Sequence, residues 1–90
     1  MHIDIEWDSK KAASNLKKHG VSFDEAATTL LDPMAKAQED PDVEGEPRWI
    51  LLGMSTKQRL LSVIYTLRQD DRIRLIAARE ATRKEAKQYA

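Results

Sequence analysis

The stretch Arg59–Arg79, RLLSVIYTLRQDDRIRLIAAR, decides the fold. Branched and aromatic residues fill both of its halves, as in paired strands. Between them, Gln69-Asp70-Asp71 is a tight polar connection. A three-residue loop sets a register: Leu67 faces Ile73, Tyr65 faces Leu75 and Val63 faces Ala77. The other face then carries Arg68 beside Arg72 and Thr66 beside Arg74. A slip of one residue would mix the apolar and basic sets, so this register is favoured. If the second strand alternates regularly, Arg74 and Arg79 fall on opposite faces. They can share a site only if the strand bends or ends before Arg79.

Upstream, Arg48–Met54 (RWILLGM) reads as a third strand and Ser55–Gln58 as a turn. Met34–Gln38 is a short strand candidate, and Glu39–Pro47 an acidic loop. At the N-terminus Ile3, Ile5 and Trp7 alternate with Asp4, Glu6 and Asp8, the period-two pattern of a half-buried edge strand. Two helices lie between. The first is capped by Asp8 or Ser9, carries Ala12, Ala13 and Leu16 as an apolar stripe, and stops at Gly20. The second covers roughly 23–31. It opens on a capping box in which Ser22 takes the Glu25 amide and Glu25 reaches back, and ends at Asp32-Pro33. Thr82-Arg83-Lys84-Glu85 is another capping box, opening a C-terminal helix that ends near Tyr89. The order β-α-α-β-β-β-β-α predicts an α+β fold, a mostly antiparallel sheet with helices packed on one face.

Composition sets the limits. A chain of 90 residues fits a single domain, 1–90, without a second lobe. It carries 15 basic and 15 acidic side chains, which argues against a histone-like binder. The balance is uneven: residues 1–45 hold five Lys/Arg and ten Asp/Glu, residues 46–90 ten and five. There is no cysteine, so disulfides, thiolate metal sites and a thiol nucleophile are excluded. No apolar run or N-terminal leader suggests a membrane or export, and a cytoplasmic protein is expected.

Three constellations bear on chemistry. Asp40, Asp42, Glu44 and Gly45 imitate the start of a calcium loop, but Leu51 stands where the bidentate Glu belongs. His2, Asp4, Glu6 and Asp8 share a strand parity that could hold a metal, though a polar edge strand explains them better. Neither a metal nor a cofactor is called for. Lys17-Lys18-His19-Gly20 can be a helix end whose cations suit the dipole, or a histidine and lysines projecting over the sheet as proton-transfer and phosphate-binding groups. Arg59, Arg68, Arg72, Arg74 and Arg79 crowd the two long strands. They are either a solvated face or a surface for a polyanion, since the arginine fork binds phosphate bidentately. Trp7, Trp49 and Tyr65 sit in apolar alternation and read as core.

These residues resemble the BrnT-type toxins of bacterial type II toxin–antitoxin systems. The resemblance rests on Glu6-Trp7-Asp8, Lys11, Asn15-Leu16, Lys18 to Phe23 and Glu25-Ala26. It continues through Glu44-Gly45-Glu46, Arg48, Gly53, Ser55, Arg59, Arg68, Ile73-Arg74, Ala78-Arg79, Ala81, Glu85 and Tyr89. Two positions depart from the pattern: Gln58 stands for a usual glycine, and Ala77 for a serine whose hydroxyl could orient a phosphate. The resemblance implies a RelE-like fold and an RNA-cleaving toxin that arrests translation. It also implies a ribbon-helix-helix, BrnA-like antitoxin, a heterotetramer with it, and contact with DNA only through that antitoxin. For such a reaction Lys18, His19, Arg59, Arg74 and Arg79 are the candidate catalytic residues, with Lys17, Arg68 and Arg72 as RNA contacts. The other reading is a non-catalytic partner that shapes a repressor complex.

Overall fold

The structure, a computed structural model, describes residues 4–40, 45–69 and 71–89. Its elements are β1 (Asp4–Glu6), α1 (Ser9–His19), α2 (Phe23–Thr28), a 3₁₀ turn (Thr29–Leu31), β2 (Lys36–Glu39), β3 (Arg48–Met54), β4 (Leu60–Arg68), β5 (Arg72–Glu80) and α3 (Arg83–Ala86). The strands form one sheet in the order β1-β5-β4-β3-β2. β1 runs parallel to β5 along its outer edge, and the other pairs are antiparallel. The expected α+β architecture is present, with β1 as an edge strand.

Local chemistry explains the helix ends. Asp8 caps α1 by accepting from the Lys10 amide at 2.8 Å, and Gly20 ends it at φ 70°, a conformation costly for other residues. Ser22 caps α2 through the Glu25 amide at 3.0 Å. The expected return bond from Glu25 is not made, because its carboxylate is drawn inward to Arg59. The expected helix 23–31 tightens into the 3₁₀ turn after Thr28 and ends at an extended Asp32. Asp32 then accepts from the Met34 and Met54 amides and the Tyr89 hydroxyl, which fixes the C-terminal turn against β3. These bonds, Tyr89 foremost, hold the Asp32 carboxyl below its ordinary value. The Asp32–Met34 turn also delays β2 to Lys36. α3 carries the complete capping box at Thr82 but stops at Ala86, before Tyr89.

One face of the sheet packs on α1 and α2. Its core is Val21, Phe23, Ala26, Leu51, Leu61, Val63, Tyr65, Ile73, Leu75 and Ala78, with Trp7 edge-on to Phe23 at 6.0 Å between ring centres. Trp7 and Trp49 pack against this cluster, as read from the alternation. Gly53 lets the 3₁₀ turn lie close on β3: a Cβ there would lie 3.1 Å from the Thr29 carbonyl oxygen, a tight approach.

The register holds as expected from Arg68↔Arg72 to Tyr65↔Leu75 and then changes. Ile64 pairs with Ala77 and Val63 with Ala78, so the expected Val63–Ala77 pairing is corrected. Ile76 is the extra residue of a β-bulge. The bulge resets the alternation, and Arg74 and Arg79 therefore share the face opposite α1 and α2. On that face Arg74 stands between Glu6 and Thr66, while Arg79 stands beside Ser62.

Candidate functional site

The bulge end of β5 is where helix and sheet chemistry meet. β1 covers the outer edge of β5 only over Arg72–Arg74. Further along, a side chain takes over that edge. Asn15, 7% exposed, donates to the Ala78 carbonyl at 2.8 Å and accepts from the Ala78 amide at 3.1 Å. It also donates to the Val21 carbonyl at 3.0 Å. One amide thereby ties α1, the chain after Gly20 and the bulged strand together. His19 lies one helical turn beyond Asn15 on the same side of α1. It lines a cavity of about 180 Å³ with Ser62, Ile64, Ala77, Ala78 and Arg79.

Arg79 is half-buried and held by a carboxylate from α3. Its Nη1 donates to Glu85 Oε1 at 2.8 Å and to the Glu80 carbonyl at 3.1 Å, and its Nη2 donates to Glu85 Oε2 at 2.9 Å. This pairing, the largest of several causes, lowers the Glu85 carboxyl to about 2. Glu85 occupies the end of the guanidinium. Among the described residues, nothing accepts from Nε or from the second Nη2 proton, so one bidentate edge of Arg79 remains open.

Arg59 is arranged differently. It points to the helix side, where Nε donates to Glu25 Oε2 at 2.9 Å and Nη2 to Glu25 Oε1. Nη2 also donates to the Gly20 carbonyl at 3.1 Å, and Nη1 lies 3.7 Å from Glu80. Its bidentate edge is filled. Glu25 is 4% exposed and also accepts from Ser55 Oγ at 2.8 Å. The Arg59 bond, above all, holds the Glu25 carboxyl low. Arg59 is thus a brace joining the end of α1, α2 and the end of β5.

The remaining arginines gather at the hairpin end. Arg74 donates to Glu6 at 2.9 Å, Arg72 lies 3.4 Å from the same carboxylate, and Arg68 pairs with Glu46 at 3.5 Å. Five residues of strand, about 15 Å, separate Arg74 from Arg79. The fold brings His19 and Arg79 to one cavity, with Lys18 beside His19 on the helix, and Arg68, Arg72 and Arg74 to another place. Lys17 is exposed on the last turn of α1. Among the described residues no group of three His, Cys, Asp or Glu side chains is placed to hold a metal; His2, Asp42 and Glu44 lie outside them.

Sequence reading missed the roles of Asn15, Glu25, Ser62 and Glu85. Asn15 had a signal: asparagine is a poor helix former, and it sits beside the apolar stripe. Glu25 and Glu85 were absorbed by their local capping patterns. Ser62 had no signal.

Fold and site together describe a small α+β protein that gathers cations where a helix end meets a bulged strand. The family model described as "Ribonuclease toxin, BrnT, of type II toxin-antitoxin system" matches residues 7–85. The chain belongs to that family of ribonuclease toxins, and the type II designation implies a protein antitoxin as partner. Among solved structures it is similar in fold to the Brucella abortus ribonuclease toxin, BrnT, whose crystal structure is at 1.1 Å resolution. The TM-score is 0.67 at 23% identity, covering 91% of this chain and 100% of that one. A search of curated proteins finds no match.

Proposed function

We propose that the chain, as one BrnT-like domain over residues 1–90, is a metal-independent endoribonuclease that cuts RNA in the cytoplasm and so inhibits translation. The observation that carries this reading is that Arg79, which keeps one bidentate edge without an acceptor among the described residues, lines the same cavity as His19. In the step itself, the ribose 2′-oxygen attacks the adjacent phosphorus and the bond from phosphorus to the 5′-oxygen breaks. A base must take the 2′ proton, and an acid must return one to the leaving oxygen. Imidazole suits either task near neutral pH, so His19 is the base or the acid. Lys18 is its partner or a phosphate ligand. Arg79 stabilises the charge that builds on the phosphorane oxygens, a contribution of about 3 kcal/mol or a hundredfold in rate.

The other candidates take lesser parts. Arg59 acts through position, since Glu25 fills its fork. Arg74, with Arg68, Arg72 and Lys17, contacts RNA backbone outside the reacting centre. The antitoxin is a ribbon-helix-helix protein that forms a heterotetramer with this chain and carries the DNA contact. The non-catalytic reading draws on one observation: Arg59 and Arg79 already have carboxylate partners within the chain.

The test is cleavage of labelled RNA in EDTA, without and with ribosomes, by wild type, His19→Ala and Arg79→Ala. Cutting by wild type that both substitutions abolish supports the nuclease. A folded wild type that never cuts selects the non-catalytic partner.

A further inference from the structure

A second groove adjoins the cavity just described. It has a volume of about 300 Å³ and runs between α1 and the bulge of β5. Lys11, Ser14, Lys18 and His19 form its helix wall, and Ile76 and Ala77 its floor. It shares His19 and Ala77 with the first cavity, so the two adjoin. Lys11 and Lys18 are two helical turns apart, about 10 Å along the axis, and face the same way. Among the described residues no carboxylate lines this groove, and neither lysine is ion-paired. The arginines at the hairpin end differ: Arg74, Arg72 and Arg68 all face Glu6 or Glu46. The uncompensated positive charge next to the candidate centre therefore lies along α1.

We infer that this groove is the path of single-stranded RNA beside the scissile phosphate, with Lys11 and Lys18 holding the neighbouring backbone. The inference rests on the ribonuclease reading for the identity of the strand. A single strand fits because a positively charged groove can track its backbone. Here Ser14 offers a hydroxyl to a phosphate or a ribose.

The test measures binding of a single-stranded RNA, 2′-O-methylated throughout so that it cannot be cut, by fluorescence anisotropy between about 50 and 200 mM salt. Lys11→Ala is compared with Lys10→Ala, which removes the same charge from the adjacent position but not from the groove. Both are exposed helix sites where alanine is well tolerated. Lys11→Ala should weaken binding several-fold and reduce the slope of log affinity against log salt by about 0.7. Lys10→Ala should change neither. Equal behaviour of the two variants overturns the inference. So does a Lys11→Ala variant that binds RNA normally but loses antitoxin, which would make the groove a protein-docking surface. Cutting of unmodified RNA is followed in parallel. A wild type that binds through Lys11 and never cuts refutes the nuclease and leaves the groove standing; a wild type that cuts while Lys11→Ala changes nothing refutes the groove alone.

Discussion

Replacing Asn15 by alanine removes one side-chain amide and with it three hydrogen bonds, at 2.8, 3.0 and 3.1 Å. The site is buried, so the Ala78 amide and carbonyl and the Val21 carbonyl lose partners where water does not readily replace them. At roughly 1 kcal/mol per bond the expected loss is about 3 kcal/mol, a large part of the 5–15 kcal/mol typical of a domain. For a chain of this size that is a fall in Tm of about 12–24 °C. The assay is urea unfolding followed by tryptophan fluorescence, together with hydrogen exchange at the Ala78 amide. Exchange there should accelerate by more than the global loss of stability explains, because the edge of β5 opens locally. Asn15→Asp is the second arm. It keeps the acceptor for the Ala78 amide but loses both donated bonds and buries a charge, so it should be at least as unstable. A loss under about 1 kcal/mol in Asn15→Ala, with unchanged exchange at Ala78, refutes the claim that this amide closes the strand edge.

Gln58 adopts φ 63°, the left-handed conformation that glycine tolerates, so Gln58→Gly should raise stability by about 0.5–1 kcal/mol in urea unfolding; a decrease would show that the turn is not strained. Arg59→Met should destabilise by stranding the buried Glu25 carboxylate, and adding Glu25→Met should recover most of the loss. An uncompensated buried charge costs about 3–5 kcal/mol, and a double variant no better than the single one would contradict the brace. The Glu85 carboxyl is depressed in the folded chain, so its contribution is complete above the ordinary value of 4.5 and is lost as pH falls toward about 2. With screening at this partly exposed pair the contribution is about 1–2 kcal/mol. Glu85→Gln should flatten acid unfolding over that window, and an unchanged acid profile would mean that the pair does not hold in solution.

What the sequence made legible was local. The caps at Asp8, Gly20, Ser22 and Thr82 are read from residues within one turn of each other, and they stand where expected. The three-residue connection fixed the first half of the β4–β5 register, since a short loop leaves little freedom. The reading failed at Ile76-Ala77-Ala78. The odd spacing of Arg74 and Arg79 requires a bend if they are to share a face, but three consecutive apolar residues carry no parity to say that a bulge is there. The candidate site suffered the same way. His19 and Arg79 stood out by type, but the separation of Arg74 from them depends on spacing along a strand. The capture of Arg59 by Glu25 joins residues 34 apart in the chain. The parallel seating of β1 on β5 is likewise a tertiary outcome.

The bulge also bears on how a gene for this fold can change length. Because Ile76 has no partner of its own on β4, loss of its codon would leave Tyr65 opposite Leu75 and Ile64 opposite Ala77. Every arginine would keep its face, and only the local bend and the apolar floor beside α1 would go. A one-codon deletion at Ile73 would instead turn Arg74 and Leu75 to the wrong side. The Ile76–Ala78 stretch is therefore where an in-frame deletion separates two properties: the side on which Arg79 emerges, and the curvature of the strand that carries it.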